Sequence, residues 1–231
     1  MFKGKYVILS IDFDYFVDAD NITRTMNFPD GHEGFSDSLC SLIWSNYYPQ
    51  LNKIGIKNRE YENLINYAKR TKAVKYGKVV SFESHKEIYS LVEQNNIGND
   101  CHIFNIDFHH DMYFVSHNNA PVDCGNWGRV LKDKYPNFKL SWIACDDSEK
   151  ELITGDFVDC DEVLTLDEML ESLPPEDVDV VFMCRSDMWT PPHLDKYYKN
   201  LEMELRKEQI LQEREVIENG QRYPVFKQFD I

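Results

Sequence analysis

Cys101-His102-Ile103-Phe104-Asn105-Ile106-Asp107-Phe108-His109-His110-Asp111 passes from an apolar run directly into two acids and two histidines. A short run of this kind, rich in Ile and Phe and bounded by polar residues, suits a strand buried on both faces of a parallel sheet. In such a sheet ligands collect beyond the carboxyl ends of the strands. The polar residues that close the run therefore stand where a binding site is expected.

Further apolar runs repeat the pattern at Tyr6 to Ile11, Lys78 to Phe82, Phe138 to Cys145, Glu162 to Leu166 and Val178 to Cys184. Helical patterns lie between them: Asp37 to Tyr47, Glu60 to Lys72, His85 to Gln94, Trp127 to Lys134, Leu166 to Ser172, and a long charged one from Leu194 to about Ile217. Alternating strand and helix predicts an open α/β sheet. The last helix carries Tyr197, Leu201, Leu205 and Leu211 at roughly helical spacing, which predicts one packed stripe and an otherwise solvated surface. No internal repeat and no long Pro, Gly or Ser linker divides the chain, so residues 1–231 read as one domain.

A hydrophobic content of 42% over 231 residues is enough to bury a sizeable core. The formal charge of -15 argues against nucleic acid or an anionic membrane surface as a partner and is compatible with a cationic substrate. Cysteines at 40, 101, 124, 145, 160 and 184 form no CxxC pair, and several sit in apolar runs, so they read as reduced core residues. The first apolar run is too short for a signal sequence and is broken by aspartates, which makes the cytoplasm the expected compartment.

Three strands are expected to close in unusual residues. The first ends Ser10-Ile11-Asp12-Phe13-Asp14, and an extended backbone would put both aspartates on one face. In the same way Asp107, His109 and Asp111 would share a face, while the run Val79 to Phe82 leads through Glu83 and Ser84 to His85 at a helix start. Asp12 and Asp14 alone would also serve as a helix cap or a solvated loop, and His85 alone as a cap or core residue. Together, four aspartates at one sheet edge could not stay ionised without cations. Four carboxylates balance two divalent ions, and oxygen-rich ligation with one imidazole per metal suits manganese, with other divalent metals as substitutes.

Asp107-Phe108-His109-His110-Asp111 resembles the DxHxD motif of the arginase and ureohydrolase superfamily, and Ser10-Ile11-Asp12-Phe13-Asp14 its SxDxD motif. The resemblance implies a three-layer α/β/α fold around a binuclear manganese cluster. By motif, Asp107 and Asp12 would bridge, His109 and Asp14 would hold one metal, and Asp111 with His85 the other. SxDxD here precedes DxHxD, so the chain looks circularly permuted, and Phe82-Glu83-Ser84-His85 stands where a Gly-Gly-Asp-His segment is usual. Asp123-Cys124-Gly125-Asn126-Trp127 and Ser186-Asp187-Met188-Trp189-Thr190-Pro191-Pro192 are similar to segments of a divergent branch that includes peptide arginases.

That branch implies hydrolysis of an arginine side chain within a ribosomally made peptide, giving ornithine and urea. A guanidinium is a poor electrophile, so an activated water is required, and paired metals supply one near neutral pH. Asp111 would relay its proton, and His110 or His117 would protonate the leaving amine. On an extended strand His110 points away, which favours a packing role, and His117 sits in a loop with Asn118 and Asn119. Glu83 or Asp187 would bind the guanidinium, Asn126 would cap a helix or serve a substrate loop, and Trp189 would line a pocket or cover the sheet edge. A ureohydrolase of a free guanidine, a deacetylase-like amidohydrolase and a non-catalytic metal protein are the rival readings.

Overall fold

The computed structural model describes residues 5–29, 42–46, 51–70, 78–113, 121–148 and 159–218. The apolar runs become strands β1 (Tyr6–Asp12), β2 (Lys78–Phe82), β3 (Cys101–Ile106), β4 (Lys139–Ile143), β5 (Glu162–Leu164) and β6 (Val180–Cys184). They form one parallel sheet in the order β2-β6-β1-β3-β4-β5. β5 is shorter than its apolar run because Thr165 starts the next helix: its hydroxyl accepts from the Glu168 N–H, and the Glu168 carboxylate accepts from the Thr165 N–H.

Helices α1 (Asn21–Asn27), α2 (Asn58–Arg70), α3 (Glu87–Gln94), α4 (Trp127–Lys134), α5 (Leu166–Ser172) and α6 (Asp195–Glu218) accompany the sheet, with a further helical segment at 42–46. The rest of the helix expected from Asp37 to Tyr47 lies outside the described residues. Burial in α2 falls on Tyr61, Leu64, Ile65 and Ala68, the i, i+3, i+4, i+7 stripe that a core-facing helix requires. In α6 the buried stripe is Tyr198, Leu201 and Leu205, one position off the Tyr197 expected; Tyr197 instead accepts a hydrogen bond from the Tyr61 hydroxyl through its carbonyl.

The two faces of the sheet carry separate cores. Val7, Leu9 and Ile11 pack with Leu64, Ile65, Met169 and Leu201, whereas Ile8, Ile103 and Phe182 pack with Ile88, Leu91, Trp127 and Leu131. Helices α2, α5 and α6 thus cover one face and α3 and α4 the other, completing a three-layer α/β/α sandwich. Connections that step one way along the sheet place their helices on one face and those stepping back on the other, as a constant crossover hand dictates. Among the described residues no helix is long and apolar enough to cross a membrane. Cys101, Cys124, Cys145, Cys160 and Cys184 form no disulfide.

Chain order matters for the site. β1 leads to β2, two places away on one side, whereas β3, which pairs with β1 on the other side, leads to β4 in the opposite direction. The carboxyl ends of β1 and β3 therefore border a topological switch point, the crevice where open α/β sheets bind ligands.

Candidate metal centre

β1 and β3 run in register, with Ser10 opposite Asn105 and Ile11 opposite Ile106, so Asp12 and Asp107 leave neighbouring strands at the same height. Both are buried, as are Asp14, Asp111 and His85. The expectation that an extended backbone gathers them is incorrect. After Asp12 the chain turns into a single 3-10 turn, Phe13–Phe16, and Asp12 Oδ1 accepts from the Asp14 N–H at 3.2 Å. After Asp107 the chain also folds back: Asp107 Oδ1 accepts from the His109 N–H at 2.8 Å, and Asp111 sits in the left-handed region at φ 55°. Turns rather than strand alternation bring the carboxylates together. Ser186, beyond β6, is also left-handed at φ 55° and donates its hydroxyl to Asp12 Oδ2 at 2.9 Å. Backbone strain of this kind gathers at binding sites because surrounding contacts must hold it.

Two ligand groups result, Asp12–His85–Asp107 and Asp14–Asp107–His109, each with one donor atom per residue within 4.8 Å of the others. They share Asp107. Asp12, expected to bridge, belongs only to the first. His85 Nδ1 lies 3.2 Å from Asp12 Oδ2, 3.1 Å from Asp107 Oδ2 and 2.9 Å from Asp111 Oδ2. His109 Nδ1 is 3.4 Å from Asp14 Oδ2 and 3.8 Å from Asp107 Oδ1. The set is oxygen-rich, has one imidazole per group and no thiolate, which fits a hard or borderline divalent cation. Asp14 Oδ1 is buried with no hydrogen-bond partner among the described residues, as a carboxylate oxygen reserved for a cation would be.

The electrostatics point the same way. Burial, then the charges of Asp14 and Asp107, raises Asp12 well above the usual carboxylate range, with His85 opposing. Burial and the Asp111 charge push Asp107 up to about 8. Burial would lower both histidines, but Asp111, Asp107 and Asp12 hold His85 well above its usual range, and Asp14 pushes His109 up to about 9. Burial would also raise Asp14, yet hydrogen bonding to His109 and the charge of Arg24 leave it lowered. Protons thus stand in for positive charge that a divalent ion would supply more effectively.

The other expected residues scatter in role. Asp111 Oδ2 accepts from the Trp127 indole at 2.6 Å, which fixes it against His85. His110 accepts the Met112 N–H at Nδ1 and packs edge-on to Trp142 at 5.7 Å, so it braces the turn rather than facing a substrate. His117 lies outside the described residues. Asn126 makes no side-chain cap to α4; its amide instead ties the Asp123 N–H and the Pro121 carbonyl. Glu83 is exposed and pairs with Arg185 at 3.6 Å, whereas Asp187 is buried where Trp44 donates to its carbonyl. Trp189 stands edge-on to His109 with ring centroids 5.0 Å apart, beside the ligands rather than over the sheet edge alone.

Sequence reasoning missed Arg24, Ser10, Asn105 and Ser186, all of which touch a ligand or its turn. Ser10 Oγ lies 2.8 Å from His85 Nε2, and Asn105 Nδ2 donates to Asp107 Oδ2 at 3.2 Å. The SxDxD pattern contains Ser10, and the β1–β3 register would have placed Asn105 beside it. Arg24 carried no such signal.

Gly128 shows how closely the site is built. Its N–H donates to the Asp111 carbonyl, and a Cβ there would meet Leu140 Cδ2 at 2.8 Å, Met112 Sδ at 2.9 Å and Asp111 O at 3.0 Å. Gly128→Ala is expected to cost about 1–3 kcal/mol in a urea melt, because a packed neighbour or the Asp111 turn must move. An unchanged midpoint would show the contact is soft. Comparison with protein-family models, curated proteins and solved structures finds no match for this chain.

Proposed function

We propose that the chain is a binuclear, manganese-dependent hydrolase that converts arginine side chains within a peptide to ornithine, releasing urea. The observation that carries this reading is the pair of ligand groups sharing Asp107 at the β1/β3 switch point. One group alone would suit a deacetylase-like or structural site. The chemistry such ions supply when bound is activation of water at neutral pH.

The chain's own residues supply the rest. Asp107 links the two positions, Asp12 and His85 complete one, and Asp14 and His109 the other. Asp111, held by Trp127 next to His85, would take a proton from the attacking water. Asp187 is the better guanidinium partner of the two acids considered, since Glu83 is exposed and engaged with Arg185. Trp189 beside His109 offers a ring face or edge against which the planar cation can pack.

The test is to incubate manganese-loaded protein with synthetic peptides that each carry one arginine in a varied sequence, and with free arginine. Processed peptide should be about 42 Da lighter per arginine, the mass lost when a guanidino group becomes an amine, with urea in equal amount. A gain of about 1 Da with ammonia would mean deimination and would overturn the assignment. A peptide should also give the higher kcat/KM, because contacts along its backbone and neighbouring side chains add transition-state binding that free arginine lacks. A preference for free arginine would replace the peptide reading and leave the metal chemistry standing.

A further inference from the structure

Behind Asp14 lies a buried cation. Arg24, on α1, is 1% exposed and spends its whole guanidinium on the turn after β1. Nη1 donates to Asp14 Oδ2 at 3.2 Å, Nη2 to the Asp14 carbonyl at 2.7 Å and the Val17 carbonyl at 3.0 Å, and Nε to the Ala19 carbonyl at 3.0 Å. Its guanidinium carbon also stands 3.7 Å from the centre of the Phe108 ring. Phe108 separates Asp107 from His109, so Arg24 touches both turns that present ligands. Asp20 starts the short helix that delivers it, accepting from the Thr23 N–H at 2.7 Å.

This contact is one-sided. Arg24 takes Oδ2 of Asp14 and leaves the buried Oδ1 without a hydrogen-bond partner among the described residues. Among the described residues the other group has no such cation: Ser186 donates to Asp12, Ser10 Oγ lies 2.8 Å from His85 Nε2, and the Asp111 carboxylate stands 2.9 Å from His85 Nδ1. A permanent cation next to one metal position and a carboxylate next to the other make the two electrostatically unequal. The planar fork also fixes the rotation of the Asp14 carboxylate, which a lysine ammonium would not do.

We propose that Arg24 is a positioning residue that makes the two metal positions inequivalent. It aims Asp14 at the Asp14–Asp107–His109 position, and it makes that position the weaker of the two. This rests on the binuclear reading above. Outer contacts that orient a ligand commonly control metal affinity by about 10–100-fold.

Manganese alone is the probe, titrated into the full chain by equilibrium dialysis, with electron paramagnetic resonance to distinguish coupled from isolated ions. Wild type should bind in two steps and show a coupled spectrum once both are filled. Arg24→Lys keeps the charge but loses the fork. It should leave the first step unchanged, weaken the second by about 10–100-fold, and show isolated ions at two equivalents. His109→Ala should abolish that same second step, and adding Arg24→Lys to it should change nothing more. Phe108→Leu, which keeps all hydrogen-bonding groups, should weaken the second step by a smaller factor, and it decides the matter if Arg24→Lys does not fold.

Two unchanged steps in both variants, or equal weakening of both steps, would overturn the inference; equal weakening would mark a purely architectural arginine. If wild type binds two ions and only the variants disagree, the inference falls and the binuclear reading stands. A wild-type protein that binds no ion overturns both.

Discussion

Asp107→Asn is expected to remove binding at both metal positions and to lower turnover roughly a thousandfold or more, the equivalent of the several kcal/mol that metal ions contribute to such reactions. Asp107 is the residue the two ligand groups share, so losing its anion disables both at once. The metal-free fold should tolerate the change. Burial already disfavours the ionised form of Asp107, and an amide is neutral at every pH. Asparagine keeps the Oδ1 that accepts the His109 N–H, Asn105, whose Oδ1 has no hydrogen-bond partner among the described residues, can turn its amide to receive the new NH2, and His85, 3.1 Å from that position, meets it as an acceptor once Nδ1 has lost its proton. Melting in the absence of metal should therefore stay within a few degrees of wild type, while added manganese should no longer raise the Tm. Asp14→Asn, which disables one group, should keep one ion. Full occupancy with full turnover in Asp107→Asn would sink the binuclear assignment.

The layered fold and its strands were legible because buried parallel strands are continuous apolar runs, and each of the six expected runs lies in the sheet. Their order was not legible. Nothing in the run Val178 to Cys184 says that it inserts between β2 and β1, since that choice is made by tertiary packing on both faces. The ligands were legible as residue types at strand ends, but the reason given for their convergence was wrong. Phe13–Phe16 and the left-handed Asp111 form turns whose stability comes from side chains accepting backbone N–H groups, which strand periodicity does not report. Arg24 was illegible for a different reason. It lies on a helix of seven residues, too short for an apolar stripe, and its partners are mostly backbone carbonyls, which have no sequence signature.

Metal should reverse the pH dependence of stability. In the metal-free chain His109 is pushed up to about 9, so its contribution is present below its ordinary value of about 6.5 and is lost as pH rises through about 9. Asp107, pushed up to about 8, holds a proton that the unfolded chain releases above about 4, so stability also falls between those values. Asp14 acts oppositely: lowered in the fold, it stabilises above the ordinary carboxylate range and loses that contribution only in stronger acid. For these groups together, metal-free stability should decline from mildly acidic pH to about 9. A bound cation must displace the same protons, so its affinity should rise about tenfold per pH unit for each proton released. With free manganese at about a hundred times each dissociation constant, two ions contribute about 5 kcal/mol, a Tm increase on the order of 10 °C for a chain of this size. That increase should be present near pH 8 and nearly absent near pH 5 at the same total metal. Thermal melts across this range, with manganese and with a chelator, measure both trends at once. A manganese increment that is constant with pH, or largest in acid, would mean the ion binds without displacing protons from His109 and Asp107, and therefore binds elsewhere.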